Sequence, residues 1–168
     1  MALAQIELYT GDTEIAWKHI EGQLKPLDKS LLLRTQGLRI DVLHLRARLA
    51  LASANGRVRE QRLRIASAAA DRIARENMPW SNPLALLIHA ALAKQDNDDL
   101  RAATLTEQAL GGLEAADMAL YAAAARRRLG ELLGGDHGRD LIAESESWMT
   151  KQQIKDPAAV TNLMTPGF

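Results

Sequence analysis

The chain has 168 residues, of which 47% are hydrophobic, and its 21 Lys and Arg side chains equal its 21 Asp and Glu side chains. This composition excludes an intrinsically disordered chain and a globally basic nucleic-acid binder, and the length suits one domain or one array of small repeats. Cysteine is absent, which excludes a disulfide framework, a thiolate zinc site and a cysteine nucleophile.

Helix-forming residues predominate along the whole chain. Leu, Ala, Arg and Glu are plentiful while β-branched and aromatic residues are scarce, and unbranched side chains lose little rotamer freedom in a helix. We therefore predict an all-α protein with helices at 2–10, 13–25, 31–54, 57–77, 82–95, 98–113, 117–133 and 138–152, and a short helical segment at 157–164. Because the first helix is short and begins at residue 2, we expect the chain to start inside a hairpin and Met1 to be an artificial start.

Four Gly, Asn and Asp turns separate these helices at a nearly constant interval. They read "YTGD" at 9–12, "SANG" at 53–56, "QDND" at 95–98 and "LGGD" at 133–136. Counted from Asp12 to Gly56, then to Asn97 and to Asp136, the intervals are 44, 41 and 39 residues. A helix ends readily on Gly or Asn, and the next begins on a short polar side chain. A period of about 40 predicts stacked antiparallel helical hairpins, as in a tetratricopeptide-like solenoid.

The predicted helix at 31–54 carries two apolar stripes, which are typical of an inner helix packed on two sides. The first stripe is Leu31, Leu38, Val42, Leu45, Leu49 and Ala52, and the second is Ile40, Leu43, Ala47, Ala50 and Ala54. Segments 25–30 and 78–83 contain proline and are predicted to connect hairpins. We expect the larger aromatic side chains to fill space beside alanine runs, as core wedges rather than ligand contacts: Tyr9, Trp17, Trp80, Tyr121 and Trp148.

The sequence contains no recognisable catalytic or metal-binding constellation. The four histidines, His19, His44, His89 and His137, lie far apart, and phosphate-binding loops, nucleophile elbows and kinase motifs are absent. We therefore expect a non-catalytic protein with no cofactor and no metal. A basic leader and an apolar run of 18 residues are also absent, so we expect a cytoplasmic location and no membrane partner.

Arginine is concentrated in one part of the chain. Residues 34–76 contain ten arginines and four acidic residues, so the remainder carries six excess negative charges. One interpretation is an arginine-bearing groove for an acidic peptide, a phosphorylated segment or RNA, with partner-binding candidates at Arg39, Arg46, Arg57 and Arg62. The alternative is a solvated face whose arginines pair with acids one turn away, such as Glu60 with Arg64 or Asp71 with Arg75.

Two further features qualify the arginine-rich interpretation. Residues 34–76 contain no aromatic side chain on which a base could stack, which disfavours nucleic acid relative to an acidic protein or peptide. The run Arg126-Arg127-Arg128 occupies three consecutive helix positions, which cannot share one face, and we expect it to straddle the solvent side. A free-standing regulator that binds an acidic partner or nucleic acid through the arginine-rich hairpin remains the alternative function.

The C-terminal stretch "GGDHGRDLIAESESWMTKQQIKDPAAVTNLMTPGF" carries a family resemblance. Its matching features are Gly134-Gly135-Asp136, Leu141 to Glu144, Trp148-Met149, Ile154, Asp156-Pro157 and Pro166-Gly167-Phe168. These resemble the extreme C-terminus of large bacterial proteins, common in myxobacteria, in which a serine/threonine kinase domain precedes an ATPase module and tetratricopeptide-like repeats. The resemblance implies a protein-interaction, sensor or scaffold module of a signalling protein, with the kinase and ATPase domains of the same chain among its partners.

The resemblance also implies two parts of the chain. Residues 1–153 would form the helical-repeat domain and residues 154–168 a C-terminal cap, because a repeat stack must cover its last apolar face. Leu141, Ile142, Trp148 and Met149 would build the final helix, with Trp148 substantially buried. The side chains folded back over that helix would be Val160, Leu163, Met164 and Phe168.

Overall fold

The computed structural model describes residues 2–168, and within them the side chains of Lys25, Asp28 and Lys29 are not described. The prediction about Met1 therefore lies outside the described residues. The described part of the chain is all-helical, without a strand, and contains α1 (Ala2–Thr10), α2 (Thr13–Lys29), α3 (Gln36–Ala52), α4 (Arg59–Arg75), α5 (Asn82–Gln95), α6 (Asp99–Ala115), α7 (Ala119–Leu133), α8 (Gly135–Lys151) and α9 (Pro157–Met164). The all-α prediction is confirmed.

The region before α3 differs from the prediction. α2 continues through Pro26 as far as Lys29, so most of segment 25–30 is helical rather than a free connection. Ser30 has extended backbone and its hydroxyl accepts a hydrogen bond from the Leu32 amide, which starts a short 3₁₀ helix at Leu31–Arg34. Thr35 is also extended, so the predicted helix at 31–54 is interrupted and Leu31 lies exposed outside the apolar stripe.

The turns between hairpins follow the expected chemistry. Gly11, Asn97 and Gly134 all have positive φ, as residues that end helices commonly do. The carboxylate of Asp98 then accepts a hydrogen bond from the Arg101 amide and caps the start of α6. The other predicted turns lack such a cap, because Asp12, Asn55 and Gly134 make no side-chain capping hydrogen bond. Positive φ thus ends these helices, whereas a side-chain cap starts α6 alone among the helices that follow these turns.

Helices that follow one another along the chain pack against each other, in the manner of a helical repeat, and α3 also contacts α1 and α5. Two aromatic residues join neighbouring clusters of the core. Three clusters of the core are named here for the helices that supply them: α1–α3 (with Leu8, Ile20 and Leu49), α3–α5 (with Ile40, Ile73 and Ile88) and α5–α7 (with Leu84, Leu113 and Ala125). Trp17 packs against the α1–α3 and α3–α5 clusters. Trp80 packs against the α3–α5 and α5–α7 clusters. Tyr9 is 45% exposed, so the expectation that it is a core wedge is wrong.

Helices α7 and α8 approach each other closely at two glycines. A Cβ added at Gly130 would lie 2.5 Å from the carbonyl oxygen of Gly138, and a Cβ at Gly138 would meet the carbonyl of Gly130. The Ser145 hydroxyl of α8 donates a 2.7 Å hydrogen bond to the carbonyl of Ala123 in α7. This pair forms the end of the helical array from which the last segment of the chain departs.

Candidate functional site

Residues 154–168, called the tail here, return from α8 towards the beginning of the chain. α9 contacts α7, α1 and α8. Val160 and Met164 pack with Trp148 and Met149, as the predicted cap requires. Leu163 and Phe168 do not stay on this helix, because Leu163 packs against the α1–α3 cluster and Phe168 against the α3–α5 cluster.

The tail is therefore more than an end cover for α8. It lies across the face formed by α1, α3, α5 and α7, called the odd-helix face here. Trp148 is partly buried rather than fully enclosed.

Three side chains of the odd-helix face hold main-chain carbonyl groups of the tail. Arg48 Nη1 donates to the carbonyl of Leu163 at 3.0 Å, and Gln95 Nε2 donates to that of Gly167 at 2.9 Å. Arg128 donates to the carbonyl of Thr165 from Nε at 3.1 Å and from Nη2 at 3.0 Å. The three donors belong to α3, α5 and α7. The acceptors are main-chain carbonyl oxygens, which every peptide carries.

Arg128 is the most extensively bonded of the three. Its Nη2 also donates to Asn162 Oδ1 at 2.6 Å, and its Nη1 pairs with Glu131 Oε2 at 2.7 Å. Its guanidinium carbon lies 5.3 Å from the centroid of the Phe168 ring, within the range of a cation–π contact. Arg128 is only 8% exposed, so the expectation that 126–128 all straddle the solvent side is wrong for this residue.

Arg48 is 5% exposed and has no ion pair with any residue that the structure describes. Besides the Leu163 carbonyl, its Nη1 contacts the sulfur of Met164 at 4.0 Å, and its Nε finds no hydrogen-bond partner. Burial lowers the pKa of the Arg48 guanidinium, against the opposing influence of Tyr121 and Asp41. The tail thus gives this buried cation neutral ligands only.

His44 and Tyr121 lie beside Arg48. The two ring centroids are 5.5 Å apart, and His44 is 4% exposed. Burial, with the charge of Arg48 as a smaller cause, holds the pKa of His44 well below its usual value. His44 and Arg48 also line a cavity of about 10 Å³ under Met164, Thr165 and Pro166, so little space remains between the tail and the helices.

Gly167 lets the end of the tail approach α3 and α5. Its φ is +94°, and a Cβ there would lie 3.2 Å from Leu51 Cβ and 3.4 Å from Ala91 Cβ. The left-handed backbone and the close contact both favour glycine. The turn at 166–167 thereby directs Phe168 onto the α3–α5 cluster.

Two of the four predicted partner-binding arginines lie near one another, each in an ion pair. Arg39 pairs with both carboxylate oxygens of Glu76, from Nε at 2.5 Å and from Nη2 at 2.7 Å. Arg46 Nε donates to Glu21 Oε1 at 3.0 Å. Both line a cavity of about 190 Å³ together with Arg72.

The other two predicted arginines lie elsewhere. Arg62 is buried, binds both oxygens of Glu14 and the carbonyl of Ser53, and stacks on Trp17 with its guanidinium carbon 4.9 Å from the ring centroid. Arg57 is exposed and forms no ion pair with the described residues. The structure therefore does not bring the four candidates together.

The alternative of local pairing holds in part. Glu60 and Arg64 lie 3.5 Å apart, as expected for residues one helical turn apart, whereas Asp71 lies 3.4 Å from His89. The pairs made by Arg39, Arg46 and Arg62 instead join different helices or segments. Hydrogen bonds from the arginines lower the pKa of the Glu14 and Glu76 carboxyl groups.

The residues that hold the tail were not among the predicted candidates. Arg48 and His44 interrupt the apolar run of α3 at a spacing of four, so they share one face of a helix that is otherwise buried. A polar pair on such a face indicates a buried polar contact, and this signal was present in the sequence. Nothing local to Arg128 or Gln95 distinguishes them from surface residues.

No helix within 2–168 is long and apolar enough to cross a membrane. In the same residues, no group of three His, Asp or Glu side chains is arranged to hold a metal ion. Comparison with protein-family models, with curated proteins and with solved structures finds no significant match to the chain.

Proposed function

We propose that the chain is a non-catalytic interaction module, a tetratricopeptide-like stack of hairpins whose odd-helix face binds a peptide segment. In this proposal the tail occupies that face when no partner is bound. The supporting observation is the set of hydrogen bonds from Arg48, Gln95 and Arg128 to main-chain carbonyls of the tail. Peptide-binding surfaces commonly gain affinity from main-chain hydrogen bonds and specificity from pockets for alternate side chains.

The apolar contacts of the tail fit the same proposal. Leu163 and Phe168 enter separate clusters, at opposite ends of the segment that the three polar side chains hold. The turn between α8 and α9 exposes Gln152, Gln153 and Lys155, so the tail is attached through a polar, solvent-facing connection. A segment attached in this way competes with a partner at a high effective concentration. A partner therefore displaces the tail only above a threshold of its own concentration or affinity.

The resemblance at residues 134–168 suggests the setting of this module. We place it in the cytoplasm, as the sensor or scaffold part of a bacterial kinase–ATPase signalling protein. Reading the source genome in frame upstream of Met1 tests that setting. Kinase and nucleotide-binding motifs in one continuous frame support it, and a stop codon directly before a start site counts against it.

The cavity lined by Arg39, Arg46 and Arg72 supports a second candidate, the binding of an acidic partner or nucleic acid through the arginine-rich hairpin. This candidate is weaker because Arg39 and Arg46 are already neutralised by Glu76 and Glu21. Binding of unrelated nucleic acids that falls steeply with salt would favour it. Binding of the tail sequence that changes little with salt would favour the odd-helix face.

The primary proposal is tested by cutting the connection to the tail in the otherwise complete protein. A flexible insertion with a specific protease site is placed between Gln153 and Ile154, and the uncut protein is the control. After cleavage we expect helices α1–α8 to stay folded and the tail to dissociate on dilution. Loss of helical structure on cleavage, or a tail that never dissociates, would show that the segment is a fixed part of the core.

A further inference from the structure

Arg48 differs from the other buried arginines among the described residues. Arg62 pairs with Glu14 and Arg128 with Glu131, whereas Arg48 donates only to the Leu163 carbonyl and the Met164 sulfur and leaves Nε without a partner. Removing a charged group from water costs free energy that an opposite charge normally offsets. The odd-helix face therefore presents a buried cation that no carboxylate of the described residues contacts directly.

Among the described residues no carboxylate contacts Arg48 directly. Asp41, on the same helix, attracts Arg48 electrostatically, but it is exposed and forms no ion pair with it. The polar rings of Tyr121 and His44 lie beside Arg48, and neither of them is a carboxylate. The sole acidic residue of the tail is Asp156, whose carboxylate caps α9 by accepting from the Ala159 amide.

Met164 marks the place that a counter-charge would occupy. Its sulfur is 4.0 Å from Arg48 Nη1, and a glutamate at this position is close to methionine in length. In a guanidinium–carboxylate pair both groups are ionised, so the attraction of opposite charges adds to the hydrogen bond, which a neutral carbonyl or a thioether does not provide. A carboxylate at the position of Met164 would therefore bind Arg48 better than the tail does.

We propose that the partner of the odd-helix face is an acidic peptide segment that places a carboxylate against Arg48 and an aromatic side chain, four residues later, in the site of Phe168. This inference rests on the proposed function, since it names the peptide class that displaces the tail. The aromatic requirement follows from the place of Phe168 between the α3–α5 cluster and the Arg128 guanidinium.

The test uses fluorescent peptides of the sequence 154–168 added to the full-length protein. One peptide carries the native Met164, a second carries Met164→Glu, and the third carries Met164→Gln as the matched neutral control. We expect the Glu peptide to bind at least about tenfold more tightly than the Gln peptide. In the Arg48→Met protein that difference should vanish, and both peptides should bind more weakly than the Gln peptide binds the native protein, because the hydrogen bond to the Leu163 carbonyl is lost.

A second measurement places the same two substitutions in the protein's own tail. Hydrogen exchange of the tail amides should be slower in Met164→Glu than in Met164→Gln, and equal when Arg48→Met is also present. This readout needs no binding in trans and detects the carboxylate preference directly.

The outcomes separate the two proposals. Equal affinity of the Glu and Gln peptides overturns the carboxylate inference and leaves peptide binding standing. If no peptide binds, neither to the full chain nor to the chain cut before Ile154, the proposed function fails, and the acidic partner fails with it. Concentration-dependent dimers formed by exchange of tails would assign the face to a second copy and overturn the acidic partner.

Discussion

Arg48 and Leu163, which are 115 residues apart in the chain, are joined by a 3.0 Å hydrogen bond from Nη1 to the carbonyl oxygen. This contact fixes the end of the chain on its third helix. Arg128 makes the corresponding contact from α7 to the Thr165 carbonyl. The two arginines differ in charge balance, because Arg128 has a carboxylate partner in Glu131 and Arg48 has none.

Replacing these two arginines by methionine should therefore have unequal effects. Arg48→Met loses one hydrogen bond but also a buried, uncompensated charge, and we expect the free energy of unfolding to change by less than about 1 kcal/mol. Arg128→Met leaves the Asn162 side-chain oxygen and the Thr165 carbonyl without the Arg128 donor and removes one of the two arginine partners of Glu131, and we expect a loss of about 2–4 kcal/mol. Urea denaturation measures both, and equal losses would mean that Arg48 is retained for stability.

Gly167→Ala should loosen the end of the tail. The substitution places a Cβ against Leu51 and Ala91 on a backbone with φ of +94°, and the left-handed conformation alone costs about 1–2 kcal/mol. We expect faster hydrogen exchange in residues 163–168, with exchange in α3–α5 unchanged. Unaltered protection of the tail would show that its docking does not depend on this turn.

The crossing of α7 and α8 should not tolerate a methyl group. In Gly130→Ala the new Cβ would collide with the backbone of α8, and we expect a loss of about 2–3 kcal/mol, within the range known for overpacked cores. The matched control is Gly111→Ala in α6, where a Cβ meets nothing within 4 Å. Since alanine favours helix, this control should gain about 0.5–1 kcal/mol. Thermal unfolding of both proteins provides the comparison, and a stable Gly130→Ala would contradict the close crossing.

His44 should make the protein less stable at mildly acidic pH. Its folded pKa is held well below the usual value of 6.5, chiefly by burial. Below pH 6.5 the unfolded chain therefore binds a proton that folded His44 does not, and stability should fall by about 1.4 kcal/mol per pH unit. Denaturation at pH 7.5, 6.0 and 5.5 in the native protein and in His44→Gln checks this. The same slope in both proteins would assign the effect to other groups.

Two of the predicted arginines should also respond differently to substitution. Arg62→Met removes the partner of Glu14, the donor to the Ser53 carbonyl and the stack on Trp17, and we expect about 2–4 kcal/mol of destabilisation. Arg57 is exposed without an ion pair among the described residues, so Arg57→Ala should change stability by less than about 0.5 kcal/mol. A large effect of Arg57→Ala would reveal a contact of this residue in solution.

The helices could be predicted from the sequence because their signals are local. Apolar periodicity and the turns at Gly11, Asn97 and Gly134 place most helix ends within a few residues. The break at Thr35 was missed because the apolar spacing continues across it and Thr35 makes no side-chain capping hydrogen bond. The spacing of the predicted apolar stripe is thus correct, but Leu31 does not belong to it, because this residue lies before α3 and is exposed.

The candidate site could not be predicted in the same way, because its contacts join distant parts of the chain. Arg48, Gln95 and Arg128 come from three helices, and only the path of the tail brings them to one segment. The local charge count led instead to Arg39, Arg46 and Arg62, whose acidic partners lie 25 to 48 residues away. Counting charge along the sequence finds arginines, but it does not show which ones are already paired.

The central claim, that the odd-helix face binds a peptide segment, is tested most directly by titration of the cut protein with fluorescent peptide 154–168. The protein is cleaved before Ile154 and freed of its own tail by dilution and gel filtration. We predict saturable binding of one peptide per chain, with affinity reduced at least about tenfold in Arg128→Met. Failure of the correctly folded, tail-free protein to bind the peptide would contradict the account.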